Sequence, residues 1–428
     1  MTPPIFFTVA PSRRVVSFAA ATLLACTALT ARAQAPTAAP VDPVTTLVQH
    51  LELEPYKATI KGLTQFGDRR QGTARNRAAL DWIEAQLKAY GCSNTERLRY
   101  EFTEPARRGP VQLQPVRAAG PAAQGGGTLF GKRAPIGVNT DPMAQPDERL
   151  RALNSELTPL GTSPRESVYC TKVGSTRPDE MVIVAAHMDG IGFGEAANDD
   201  GSGTALVMEL ARIFNLPGVT TERSIRFALW NNEETGLNGA SAYVAQRQAL
   251  QGIESPKGSG KYPEPTWLAM IQHDMLLFDH GMPIPKLDAA GKPVLDARGQ
   301  PVYTAPPQQR AEADVNIEFQ VNSKQADASA KLAWALRAAN EKYATDYPAA
   351  VGNRMTNTDS TPFMDLVPAV SLRENERGMQ IGAGWNPHWH QPTDLFSSYS
   401  DKDFLLGLNA AQTTLAAVAQ LVGAKPGR

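Results

Sequence analysis

Residues 185–203 read AAHMDGIGFGEAANDDGSG. The run before them, MVIVAA at 181–186, has the length and β-branched content of a buried strand. A helix-like segment follows at 204–214. His187 therefore stands where a strand ends, Asp189 lies two residues on, and Asp199 and Asp200 sit in a Gly-rich turn. In open α/β sheets, groups that handle ligands collect at the carboxyl ends of strands. An imidazole and three carboxylates, with no Lys or Arg in the stretch, make a concentrated negative site. Such a donor set suits zinc or a similar divalent cation.

Further along, SIRFALW at 224–230 reads as a second strand, ending in Asn231-Asn232-Glu233-Glu234-Thr235-Gly236. A third strand at 267–272 ends in His273-Asp274. Late in the sequence, Trp385-Asn386-Pro387-His388-Trp389-His390, followed by Asp394, brings two more histidines. Four of the six histidines (187, 273, 388 and 390) fall at these places. Two cations a few ångströms apart need a carboxylate that bridges them, with imidazoles and carboxylates completing each site. A water between them becomes acidic enough to supply hydroxide, and a further carboxylate must take and return the proton. Glu233 and Glu234, adjacent at a strand end, can divide those duties.

The protein has 428 residues, 42% hydrophobic and 20% charged, with a formal net charge of −1. That is ordinary for a globular protein and points to no nucleic-acid partner. The amino terminus differs. Arg13 and Arg14 precede an uncharged apolar run at 15–30, and Ala31-Arg32-Ala33 fits a small-x-small cleavage site. Residues 1–33 thus read as a secretory signal and 34–43 as a Pro/Ala linker. Loss of 1–33 removes three Arg and no acid, leaving four more acids than bases. The expected location is outside the cytoplasm, periplasmic or secreted. Leu23-Leu24-Ala25-Cys26 resembles a lipoprotein box, and Ser12-Arg13-Arg14 loosely resembles a twin-arginine signal. No run suggests an integral membrane span. Beyond Cys26 only Cys92 and Cys170 remain; they can pair or stay free, and they are too few for a thiolate site.

Residues 44–63 look helical in part, and 73–90 form an amphipathic helix with Leu80, Ile83 and Leu87 on one face. Strands are expected at 97–102, 167–173, 315–321 and 368–372, and helices at 237–250, 326–343 and 404–422. The basic stretch 69–77 reads as a solvated turn and helix start. Residues 286–302 hold a short repeat, LDAAGKPV then LDARGQPV, expected as an exposed hairpin-like excursion. Alternating strands and helices predict a three-layer α/β/α fold with a central mixed, mostly parallel sheet. Residues 44–428 would form one domain, with insertions near 104–165 and 252–312.

The motif set resembles the M28 family of co-catalytic dizinc metallopeptidases. The family pattern is H-x-D, N-D-D-G-S-G, E-E-x-G, a later D and a final H. It stands here as His187-Met188-Asp189, Asn198-Asp199-Asp200-Gly201-Ser202-Gly203, Glu233-Glu234-Thr235-Gly236, Asp274 and His390. Thr358-Asp359-Ser360-Thr361-Pro362-Phe363 resembles a family segment near the substrate pocket. The resemblance implies a zinc exopeptidase-like fold and two Zn²⁺ per molecule. One ion would be held by His187, Asp199 and Asp274, the other by Asp199, Glu234 and His390. Glu233 would be the general base, and Asp189 would orient His187 through its free ring nitrogen. It also implies a non-proline cis peptide at Asp199–Asp200. Trp389 stands where the family often has Tyr, and His388 competes with His390.

The expected activity is removal of amino-terminal residues from peptides by a hydroxide that bridges the two metals. The alternatives are a carboxypeptidase or glutaminyl cyclase on the same fold, or a binding module without catalysis. His273 is expected to pack in the core, as are Trp82, Trp230 and Trp267, and Asp394 to support or cap rather than ligate.

Overall fold

The computed structural model describes residues 42–105, 138–279, 285–297, 302, 313–355, 357–374 and 386–427. The expected signal, most of the linker, Cys26 and Trp385 lie outside the described residues.

Two short helices, α1 (Pro43–Val48) and α2 (Leu53–Thr64), lead into α3 (Ala74–Ala89). Thr73 caps α3 by accepting from the Asn76 N–H, and the buried stripe is Ala79, Leu80, Ile83 and Leu87. Strand β1 (Glu96–Glu104) follows, then α4 (Glu148–Leu153), β2 (Gly161–Lys172) and β3 (Arg177–His187). The order continues α5 (Gly201–Phe214), β4 (Arg223–Trp230), α6 (Asn238–Arg247), β5 (Thr266–His273) and β6 (Val315–Glu318). It closes with α7 (Ala326–Tyr343), β7 (Ala349–Gly352), β8 (Ala369–Arg373) and α8 (Asp401–Val422).

The strands form one sheet in the order β1-β2-β4-β3-β5-β8-β6-β7. The centre, β4-β3-β5-β8, is parallel throughout, while β1, β2 and β6 pair antiparallel toward the edges. In β3, Val182, Val184 and Ala186 pack into one core with residues of α2, α3, α5, α7 and α8. The alternate residues Met181, Ile183 and Ala185 pack on the opposite face with Trp230, Tyr243 of α6 and Phe363. A strand buried on both faces reads as a continuous apolar run for this reason. The result is a three-layer α/β/α architecture with a mixed sheet. Helix α8 has the length and apolarity of a membrane span, yet 78% of its apolar window is buried in the fold.

Several expectations need correction. Strand β2 begins at Gly161, within the span 104–165, and its residues 161–169 pair with the whole of β1. Central strand β5 lies inside 252–312, so the irregular segment there falls into separate pieces on either side of it. Strand β7 escaped notice because AAVG is too short to show a period. The repeat does fold back on itself: the Lys286 N–H bonds the Val302 carbonyl and the Val294 N–H bonds the Lys286 carbonyl. Cys92 and Cys170, left open by spacing, are joined in a disulfide with Cα atoms 6.1 Å apart.

The basic stretch is not a solvated turn. Arg69 and Arg75 are buried. Arg69 donates to the carbonyls of Met188, Glu195 and Ala196, each at 2.8 Å. Arg75 grips Asp68 with two nitrogens at 3.0 and 2.8 Å. A planar guanidinium with five donors can saturate several backbone carbonyls at once, which sequence pattern alone does not reveal.

Candidate metal centre

The parallel register sets the site. His187 pairs abreast of Trp230, and Ala186 abreast of His273, so β3, β4 and β5 end side by side. Residues within four positions of those ends, Asp189, Glu233-Glu234 and Asp274, emerge on one rim. Asp200 caps α5, accepting from Gly203 N at 2.9 Å while also receiving the backbone N–H groups of His187 and Met275. This ties the turn bearing Asp199 to two strand ends, and the Asp199–Asp200 peptide is cis.

His390 comes from a loop on the far side, with φ at 55°. The carbonyl of His390 accepts from Asn139 N at 3.0 Å. Gly192 packs beneath it, where a Cβ would meet the carbonyl carbon and oxygen of His390 at 2.4 and 2.5 Å. Only glycine permits that approach, at φ 97°. Gln145 fastens the same two loops together, donating to Phe193 O and Pro392 O at 2.8 and 2.9 Å.

The five expected ligands converge. Asp199 turns one oxygen to each imidazole, Oδ1 at 3.3 Å from His187 Nε2 and Oδ2 at 2.9 Å from His390 Nε2. Glu234 Oε2 lies 2.8 Å from His390 Nε2, and Asp274 Oδ1 lies 3.8 Å from His187 Nε2. Donor atoms of His187, Glu233 and Asp274 fall within 4.8 Å of one another, as do those of His187, Asp199 and Glu234. Glu233 thus stands against the His187–Asp274 side and Glu234 against the His390 side.

Around them, the Nδ1 of His187 bonds the backbone carbonyl of Asp189 at 2.9 Å. The Asp189 carboxylate, 3.9 Å from that nitrogen, instead accepts the Glu233 N–H at 3.1 Å. Asp394 accepts from Asn198 N and Asp199 N at 2.9 and 3.1 Å, so it braces the turn that carries Asp199. His388 lies apart, bonded to Thr393 Oγ1 at 2.9 Å. Trp389 stacks on the His390 ring at 4.0 Å between centroids. His273 is buried between Ala185 O and Thr414 Oγ1. Trp230 and Trp267 are core residues, and Trp82 packs partly buried against the core.

Two neighbours of the site were not assigned roles from the sequence. Arg373, at the end of β8, places Nη2 2.8 Å from Asp274 Oδ2. Nothing distinguishes it in the sequence beyond being a charge at the end of a short apolar run. Asp359 is fully buried and neither of its oxygens meets a hydrogen-bond donor among the described residues. The sequence offered only the segment around it.

The electrostatics ask for cations. Burial opposes charge on His187, but Glu233, Asp200 and the other nearby carboxylates outweigh it and push the imidazole well above its ordinary value. Burial drives Glu233 and Asp359 well above the usual carboxylate range and Glu234 to about 7. Asp274 alone of these acids has a guanidinium partner. Burial pushes its carboxyl up, yet Arg373, then His187, holds it well below the usual range. Carboxylates packed this closely in a dry site repel one another unless positive charge is shared among them. Imidazole nitrogens and carboxylate oxygens, with Glu234 Oε1 and Asp189 Oδ2 buried and without a hydrogen-bond partner among the described residues, fit a divalent metal of the zinc type.

Residues 168–283 match the model of Peptidase family M28. That span carries every expected ligand except His390. The probable lipoprotein aminopeptidase LpqL of Mycobacterium tuberculosis is 37% identical over 131 residues, covering 30% of this chain and 24% of that protein. Carboxypeptidase Q of Xenopus laevis is 39% identical over 71 residues, 17% of this chain and 15% of that one. The matched stretch therefore spans about a quarter or less of these relatives. Among solved structures, a zinc aminopeptidase from Bacillus subtilis superposes with a TM-score of 0.53 at 15% identity, covering 87% of this chain and 96% of that chain, a likeness of fold. Over the matched segment, with its motifs in order and converging on one rim, this protein is similar to peptidase family M28.

Proposed function

We propose that the protein is a zinc-dependent exopeptidase, most specifically an aminopeptidase using two ions. The observation that carries this reading is Asp199, whose two oxygens face His187 and His390 respectively. One ion would rest on His187, Asp199 and Asp274, the other on Asp199, Glu234 and His390. Such ions, when bound, acidify water and polarise a scissile carbonyl. Glu233 takes the proton and returns it to the leaving amine. Its burial-raised pKa suits a group that must hold a proton between those steps. The Asp189 carboxylate fixes the Glu233 backbone, and the Asp189 carbonyl keeps Nδ1 of His187 protonated so that Nε2 is free to ligate.

A free amino terminus is favoured over a free carboxyl terminus as the recognised group. Asp359 offers a buried carboxylate without a hydrogen-bond partner among the described residues. The guanidinium that touches the ligand set, Arg373, is already taken by Asp274. Peptide substrates with an unblocked amino terminus follow. Export belongs to the same proposal, supported by the Cys92–Cys170 disulfide and by a relative named a lipoprotein.

Glu233→Ala should retain zinc and lose at least about 10²–10⁴-fold in turnover. Survival of activity in that variant sinks the mechanism. An amino-acid p-nitroanilide should be cleaved and an N-blocked peptide should not. Cleavage of the blocked peptide from its carboxyl end would establish the carboxypeptidase reading instead.

A further inference from the structure

The contact between Arg373 and Asp274 follows from strand register. Leu372 pairs abreast of His273 in the parallel β5–β8 ladder, so the next residue of each strand, Arg373 and Asp274, emerge together. Both side chains are nearly inaccessible, at 3% and 5%. Asp274 divides its oxygens: Oδ1 faces His187 Nε2 at 3.8 Å, and Oδ2 meets Arg373 Nη2 at 2.8 Å. Arg373 is held from behind, with Nε 3.8 Å from Glu318 Oε2 on the adjoining strand β6 and Nη2 3.4 Å from the Asn357 carbonyl.

Resting on the two-ion reading above, we propose that Arg373 is a positioning residue that selectively tightens the ion held by His187, Asp199 and Asp274. A carboxylate with two free oxygens can rotate or bind an ion through both. With Oδ2 fixed, Asp274 presents Oδ1 alone, in one orientation. A guanidinium this close would also repel a cation, and the sign depends on which effect wins. We take the orienting effect to win, with the Glu318 carboxyl 3.8 Å behind the guanidinium drawing on part of its charge. Groups that orient ligands from behind set metal affinity by about 10–100-fold. The other ion, on Glu234 and His390, has no contact with this pair and should not respond.

The test counts zinc per molecule by mass spectrometry against a graded chelator, for wild type, Arg373→Lys and the double variant Arg373→Met/Glu318→Gln. The double variant removes the guanidinium without leaving the buried Glu318 charge unopposed, and circular dichroism checks that it folds. One ion should leave the double variant at about 10–100-fold lower chelator than in wild type, the second leaving as before. Arg373→Lys, which keeps the charge and loses the fork, should fall between. Two ions held as in wild type, or both lost together from folded protein, overturn the proposal. Wild-type protein that binds no zinc sinks the metallopeptidase reading and this inference with it. Two ions in wild type and an unaltered double variant sink this inference alone.

Discussion

The two halves of the proposed metal centre are built by different means. His187, Asp274 and Arg373 close strands β3, β5 and β8, or directly follow them, and parallel ladder register brings them abreast. Glu234 and His390 sit on loops. Their meeting depends on Gly192 packing under His390, on Gln145 joining two carbonyls, and on Asp394 holding the Asp199 turn. The first half inherits the rigidity of a doubly covered sheet. The second is only as rigid as a few hydrogen bonds and one close backbone approach. A shared carboxylate, Asp199, couples them.

That contrast can be broken in graded ways. Asp199→Ala should empty both halves, reducing zinc to near zero per molecule by elemental analysis and activity to background. Retention of one ion would show that the halves are independent. Replacing Cys92 and Cys170 together by Ala should lower unfolding stability by about 4 kcal/mol in denaturant titration, given the 78-residue separation, and leave the zinc count unchanged. Loss of an ion there would tie the disulfide to the site. Gly192→Ala should cost upwards of about 1 kcal/mol for its left-handed backbone alone and displace His390. Zinc on the loop-held half should weaken while the strand-held ion stays; equal loss of both would erase the distinction. The smallest effect is expected for Gln145→Ala, which strands two buried carbonyls at about 1–3 kcal/mol. It should speed zinc release from the loop-held half only, measured with a chelating dye.

Reading the sequence alone placed His187 and Asp274 at strand ends, and it left Arg373 unnoticed. MVIVAA ahead of His187 and SIRFALW ahead of Glu233 are local patterns, and a residue that follows a buried strand needs no tertiary information to be placed at its end. His390 rested on resemblance and on its H-x-x-x-D spacing to Asp394, since two histidines stand with one residue between them and no periodicity chooses between them. Only packing separates them: His390 faces Asp199 and Glu234, while His388 turns to Thr393, Phe278 and Tyr399. Arg69 and Arg75 misled because a basic stretch looks solvated until the carbonyls that bury it are known.

The sequence by itself determined the strands, the helices on both faces and the residue types gathered at the strand ends, because hydrophobic period and turn chemistry are local. Tertiary structure decided which distant carboxylate meets which imidazole, which cysteines join, and that Arg373 reaches Asp274. Those pairings depend on ladder register and on loops closing over one rim, and neither is written in any single segment.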